Sequence, residues 1–308
     1  MFHRITFALT IMCASSASLF AADGVVLFPD YKPDSQHVYD VEVAVNQTLT
    51  LNGSDIDTAT NNFEERSVNV VEKTDTATTL AIKSNRLQFD LTMPGGVNVS
   101  FDSENPDREP AVPQLKPLIE MLKVASGMTT KVKLDSSANV EKLTLEAEGL
   151  DALPEALQTY LSEDRLKPQL NQEFQRLPRD AVKPGDTWER TEIFDAGQGQ
   201  YFSYTTTYKY EGTVEENGQT YDKVTATYKN PKFDIEAGST LPLSVKSSDL
   251  DMSKSTSTML SAPNRGGLVK SNSKMQIVGK IVFLGPAQNE LPGELDLTIT
   301  TKLNRKSE

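Results

Sequence analysis

Cysteine is almost absent from this chain. The single one, Cys13, falls inside an N-terminal stretch that reads as a leader. With the leader removed no thiol remains, which excludes a thiolate zinc site, an iron–sulfur cluster and a thiol nucleophile. Histidine is nearly as scarce, since His3 lies in the same stretch and only His37 follows it. One imidazole cannot build a histidine-based zinc, copper or haem centre. A Ser-His-Asp arrangement would depend on His37 alone, and no Gly-x-Ser-x-Gly elbow is present. His37 itself, next to the first strand, reads as a surface or edge residue. Basic side chains are outnumbered 31 to 43, for a net charge of -12. That balance argues against nucleic acid, which needs clustered Lys and Arg to neutralise phosphates. Beyond the leader no apolar run approaches 18 residues, so no membrane-spanning helix is expected in the mature chain.

What is present begins with that leader. Arg4 supplies a positive start, Ile5 to Cys13 an apolar run, and Ala21 or Ala22 a small residue for cleavage. Residues 1–22 are therefore expected to be a signal peptide, and the mature protein to be periplasmic, envelope-associated or secreted. The mature chain, 23–308, is expected to form one α+β domain. Two strand-rich halves, 23–110 and 182–308, flank a mixed helical middle, 111–181.

Period-two alternation carries the strand assignments. Tyr39, Val41, Val43, Val45, Leu49 and Leu51 share one parity, and Asn52-Gly53-Ser54 ends the run. Arg66 to Val71 and Thr78 to Ile82 read as a hairpin. Gln88 to Met93 and Val97 to Phe101 form another around Pro94-Gly95-Gly96. Thr129 to Leu134 and Val140 to Leu145 follow. In the second half, Phe202, Tyr204, Thr206, Tyr208 and Tyr210 line one face of a strand that turns at Asn217-Gly218 into Tyr221 to Tyr228. Asn230-Pro231 is expected to end that hairpin, with weak structure through Ser244. Ser253 to Ser261 pairs with Leu268 to Ser273. Met275 to Phe283 and Leu295 to Leu303 make a last pair across a long loop, 285–293.

Helical spacing occurs only in the middle. Leu115, Leu118, Ile119 and Leu122 predict one helix. Leu153, Leu157, Tyr160 and Leu161 make a second stripe, and Leu166, Leu170, Phe174 and Leu177 a third. Pro168 predicts two helices or a kink there. All three stripes read as core faces. The expected fold is thus α+β: an extended, curved antiparallel sheet with two or three helices from the central region packed against it.

Four local features carry a family resemblance. They are Tyr31-Lys32-Pro33; Thr129 to Leu134 with Asn139-Val140-Glu141-Lys142-Leu143; Lys183-Pro184-Gly185-Asp186-Thr187-Trp188; and Tyr208-Lys209-Tyr210-Glu211-Gly212 with its Asn217-Gly218 turn. In these the chain resembles the uncharacterised exported bacterial proteins, largely planctomycete, grouped as DUF6263. Members often have glycine where this chain has Asn139, a residue that also tolerates left-handed turns. The resemblance implies export and a shared fold, and supplies no catalytic residues to carry over.

The chemical inventory is thin. Carboxylates are plentiful, but Glu64-Glu65, Glu146 with Glu148, and Glu215-Glu216 read as solvated. A glycosidase-like pair would need two of them roughly 5 to 9.5 Å apart across a cleft. Asn52, Asp55 and Asp57, or Asp249 and Asp251, offer oxygen ligands without the spacing of a calcium loop. The glycine pairs are hairpin material and lack phosphate-loop spacing. No catalytic residue, cofactor or metal set is assigned. Trp188 is expected to anchor its turn against the central helices, its indole N–H needing an acceptor. Trp188, Tyr204, Tyr208 and Tyr210 are the candidates for facing a ligand, although tyrosines at strand spacing more often pack a core. The favoured role is a non-enzymatic envelope protein that binds a protein partner or an apolar, lipid-like ligand. A structural or adhesive surface protein and a carboxylate-dependent exported hydrolase are the alternatives.

Overall fold

The computed structural model describes residues 24–106, 112–197, 199–236, 239 and 241–306. The expected leader, with Cys13, lies outside them. Strand β1 (Gln36–Leu51) turns through Asn52 and Gly53, both at positive φ, directly into β2 (Ser54–Lys73). Leu51 faces Ser54 across this two-residue turn, the geometry that Asn-Gly favours. The polar run from Asp55 to Glu65 is therefore strand, where the sequence pattern showed nothing. Its outward carboxylates Asp55 and Asp57 accept hydrogen bonds from Thr50 and Thr48 across the ladder, at 2.6 and 2.7 Å. Then come β3 (Ala77–Met93), β4 (Val97–Asp102), helix α1 (Lys116–Ser126), β5 (Thr129–Asp135) and β6 (Val140–Glu146).

Two short helices follow, α2 (Glu155–Gln158) and α3 (Glu163–Phe174). The break falls at Ser162, whose side chain caps α3 by accepting from the Arg165 N–H. Pro168 lies inside α3 and does not end it. The second half contains β7 (Thr187–Gly197), β8 (Gln200–Glu216), β9 (Gln219–Ile235), β10 (Ser244–Asp251), β11 (Thr256–Ser261), β12 (Leu268–Leu284) and β13 (Glu290–Arg305). Three expectations are corrected here. Asn230-Pro231 does not end β9; it sits in an irregularity between the Thr205–Lys229 and Ser203–Lys232 pairs, and pairing resumes to Ile235. Leu268 to Ser273 and Met275 to Phe283 are one strand. The last hairpin turn is short, because β13 begins at Glu290.

All thirteen strands join one antiparallel sheet, and the two strand-rich stretches meet where β1 pairs with β13. The path runs β6-β5-β3-β2-β1-β13-β12-β11-β9-β8-β7. Two long strands split their partners. β3 pairs with β5 near its start and β4 near its end, and β12 pairs with β11 and then β10. The terminal strands of the path, β6 and β7, are bonded to the same helix. Asn171 Oδ1 accepts the Val140 N–H of β6 at 2.7 Å. Next door, Gln172 exchanges both its amide groups with the N–H and C=O of Ile193 on β7. An Arg165–Asp195 ion pair reinforces the second contact. The sheet thus curls until helix α3 closes the gap between its edges, and the apolar parities line the interior. Leu166, Leu170 and Phe174 pack on Leu80, Val132 and Leu143, while α1 covers Leu87, Val99 and Phe101.

Candidate functional site

Inside the curl, between the apolar clusters of the two halves, lies a cavity of about 280 Å³. Residues 24–31 cover it. Val25 and Val182 form an isolated antiparallel bridge, holding the start of this cover. Its far end is tied on two sides: Asp30 pairs with Lys73 at 2.7 Å, and its N–H donates to the Arg265 carbonyl at 2.9 Å. Phe28 is buried, with the Arg179 guanidinium 3.8 Å above its ring and the Tyr31 ring edge-on at 6.0 Å. The sheet supplies the floor. Val41, Val68 and Ile82 come from β1, β2 and β3, Leu303 from β13 beside Val41, and Met259 and Leu268 from β11 and β12. Phe174 and Leu177, the end of the third helical stripe, complete it. The lining is mostly apolar, at the lower end of the size range of small-ligand sites.

Charges interrupt this lining at defined places. Arg66 stands on the inner parity of β2, opposite Tyr39. It pairs with Glu173 of α3 at 2.9 Å, with side-chain exposures of 19% and 41%. Glu173 lines the cavity, so part of the surface it retains borders that space. The Arg66 guanidinium holds the Glu173 carboxyl below its ordinary range, against the opposing effect of burial. Two residues before Arg66, Glu64 behaves oppositely: burial raises its carboxyl, and Arg66 only partly offsets this. Burial likewise raises the Tyr31 and Tyr39 hydroxyls, so both stay neutral.

Arg176 differs from Arg66. It also lines the cavity, yet among the described residues its guanidinium makes no ion pair within 4.0 Å and no hydrogen bond. Burial opposes its charge, but Tyr208, Glu173 and Glu192 act on it at longer range and leave the guanidinium above its ordinary value, while both acids make their direct contacts elsewhere. Glu173 is held by Arg66, and Glu192, 8% exposed, accepts from Thr206 Oγ1 at 2.8 Å and from the Tyr208 hydroxyl at 2.5 Å. The Arg176 backbone is fixed from behind. Its carbonyl accepts the Trp188 indole N–H at 3.0 Å, and Arg190 donates twice to Gln175, at 2.6 and 2.8 Å.

Trp188 therefore anchors its turn against the segment after α3, as expected, stacked 5.5 Å from Tyr208. The other sequence candidates sit in closed core. Tyr208 bonds Glu192, Tyr210 bonds Asp222 at 2.6 Å, and Tyr204 lies edge-on to Tyr228. None of Trp188, Tyr204, Tyr208 and Tyr210 lines the cavity. His37, expected at the surface or an edge, does line it, and Glu64, read as solvated, is partly buried on the inner face. Sequence reasoning passed over Tyr31, Tyr39, Arg66, Glu173 and Arg176. One signal existed: Arg66 shares the parity of Val68 and Val70, a place where a charge needs a reason. Among the described residues no group of three or more His, Cys, Asp or Glu side chains is placed to hold a metal ion. No described helix is long and apolar enough to cross a membrane.

A family model for DUF6263, a family of unknown function, matches residues 75–259. The chain belongs to that family. DUF6263 membership carries no assigned activity, and no curated protein matches the chain. Solved structures are similar only at a distance. A structure of lipid–protein interactions in lipovitellin is 13% identical with a TM-score of 0.40, covering 90% of this chain; the chain spans 26% of that one. The outer membrane protein OprG from Pseudomonas aeruginosa is 8% identical, with a TM-score of 0.20 over 90% of this chain and 98% of its own. A DUF1329 family protein from Desulfovibrio piger is 7% identical, with a TM-score of 0.16 over 84% and 83%. TM-scores of this size carry no functional inference.

Proposed function

We propose that this DUF6263 protein is a non-enzymatic binding protein that holds an apolar small molecule in the cavity beneath residues 24–31. One observation carries the reading: a mostly apolar cavity of about 280 Å³ on the inner face of the sheet, beside well-packed apolar clusters. A purely structural core would close such a space, because unfilled volume forfeits contacts. The leader-like N-terminus makes an exported, envelope-associated setting the natural one. An adhesive role has less support. Among the described residues the large exposed hydrophobic side chains are Val71 and Ile193, and the backbone of Ile193 is already bonded to Gln172.

A second reading has one observation in its favour. Glu64 and Glu173 flank Arg66 and are shifted in opposite directions, the pattern of a carboxylate acid–base pair. Against it, Glu64 does not line the cavity. Native mass spectrometry of gently purified protein, with lipid extraction of the same sample, tests the main reading. A stoichiometric apolar adduct released by organic solvent is the expected result. Ligand-free protein that also takes up no fluorescent apolar probe would overturn it.

A further inference from the structure

We infer that the occupant of this cavity is an amphiphile with one anionic head group, and that Arg176 receives the head. The inference deepens the proposed binding role and rests on it. Its first support is the state of Arg176. A guanidinium away from bulk water is costly unless a counter-charge or hydrogen-bond acceptors compensate it. Arg66, which lines the same cavity, has such a partner in Glu173. Among the described residues Arg176 has none in direct contact: Glu173 touches Arg66, Glu192 accepts from Thr206 and Tyr208, and both acids act on Arg176 only at longer range. Among the described residues its five N–H donors thus lack a protein acceptor at the wall of a mostly apolar space, the arrangement a carboxylate or phosphate would complete.

The second support is position. Trp188 and Arg190 hold the backbone of residues 175 and 176 with two hydrogen bonds, and Arg190 holds the Gln175 side chain with a third. The side chain is therefore presented from a fixed base, as a recognition group needs to be. The third is local charge. The whole chain carries -12, yet Arg66, Arg176 and Arg265 line this cavity, with Asp30 and Glu173 already paired to Lys73 and Arg66. The lining itself carries more arginine than carboxylate, opposite in sign to the molecule as a whole. An anionic head would be drawn to it while its chain lies along Val41, Val68 and Phe174.

Trp188 gives a direct readout. It is the only tryptophan, and its indole is bonded to the Arg176 carbonyl. Delipidated full-length protein is titrated with decanoate and, separately, with decanol, following Trp188 emission and confirming stoichiometry by native mass spectrometry. The expected result is decanoate binding about tenfold or more tighter than decanol, from the charge-assisted hydrogen bonds that only the carboxylate makes. In Arg176→Met that preference disappears while decanol binding persists. In Arg176→Lys part of it returns. Equal binding of the two probes by wild type would overturn the anionic head and leave the apolar-ligand reading standing. Binding of neither would overturn both. The wild-type comparison decides the matter even if a variant fails to fold.

Discussion

Arg66 and Glu173 are 107 positions apart in the chain and 2.9 Å apart in the fold, so their pairing reports whether α3 is seated. Replacing Glu173 by Gln removes the carboxylate in contact with Arg66 and leaves only the longer-range influence of Glu64. The cost should fall between that of a surface pair and that of a buried one, about 1–2 kcal/mol at neutral pH. The pH dependence has a definite sign. Glu173 is depressed in the folded state, so its contribution is complete above the ordinary glutamate value and lost as pH falls through the lower folded value. Glu64 is raised, so its ionisation costs stability as pH climbs past the ordinary value, and Glu64→Gln should be neutral to stabilising at pH 7. Urea unfolding of wild type and both variants at neutral and acidic pH checks this. Destabilisation by Glu64→Gln at neutral pH, or an acid slope unchanged in Glu173→Gln, would contradict it. None of this pairing was legible beforehand. Stripe reading counts apolar residues, and Arg66 is a gap in its stripe. Trp188 was legible, because a large side chain with one polar atom after a Pro-Gly turn states its own requirement.

At the scale of elements, the hairpin at Asn217-Gly218 was readable because turn chemistry and alternation agree. Most of β2 was not, since Asp55 to Glu65 alternates weakly and owes its conformation to two neighbours, β1 and β3. The same holds for β10, whose weak pattern is fixed by its pairing with β12. Gly279 marks that pairing. In sequence it is only a missing side chain in the alternation of Met275, Ile277, Ile281 and Phe283. In the fold its φ is 145°, and an added Cβ would stand 2.1 Å from the Asp249 carbonyl oxygen and 2.9 Å from Leu250 Cα. Those are backbone atoms and cannot swing aside. Gly279→Ala should therefore separate β10 from β12 and cost about 2 kcal/mol or more. Hydrogen exchange across residues 247–251 should accelerate before that of β13. A variant with wild-type melting temperature and protection there would show that the close approach is not required.

For the molecule as a whole, the decisive device is the seam. An antiparallel sheet with two free edges offers each as a template for another chain, and folds avoid this by closing or covering the edges. Here neighbouring side chains of one helix do both: Asn171 takes an N–H from β6, and Gln172 satisfies both backbone groups of Ile193 on β7. The Gln172 amide has the donor–acceptor pair of a peptide unit and so stands in for a missing strand. Gln172→Ala removes it, leaving an unpaired edge beside the exposed Ile193 side chain. The expected outcome is a modest fall in stability, about 1–2 kcal/mol for the hydrogen bonds lost, together with concentration-dependent self-association. Lys167→Ala, which removes only an exposed bond to the Glu141 carbonyl on β6, is the control and should remain like wild type. Light scattering across a dilution series separates the two, and Gln172→Glu sharpens it. A carboxylate keeps the acceptor for the Ile193 N–H but loses the donor to its carbonyl, so Gln172→Glu should fall between wild type and Gln172→Ala. If all three variants stay monomeric at high concentration, the edge is guarded by the strand's own charges, Glu189 and Asp195 among them, and α3 serves only to enclose the cavity.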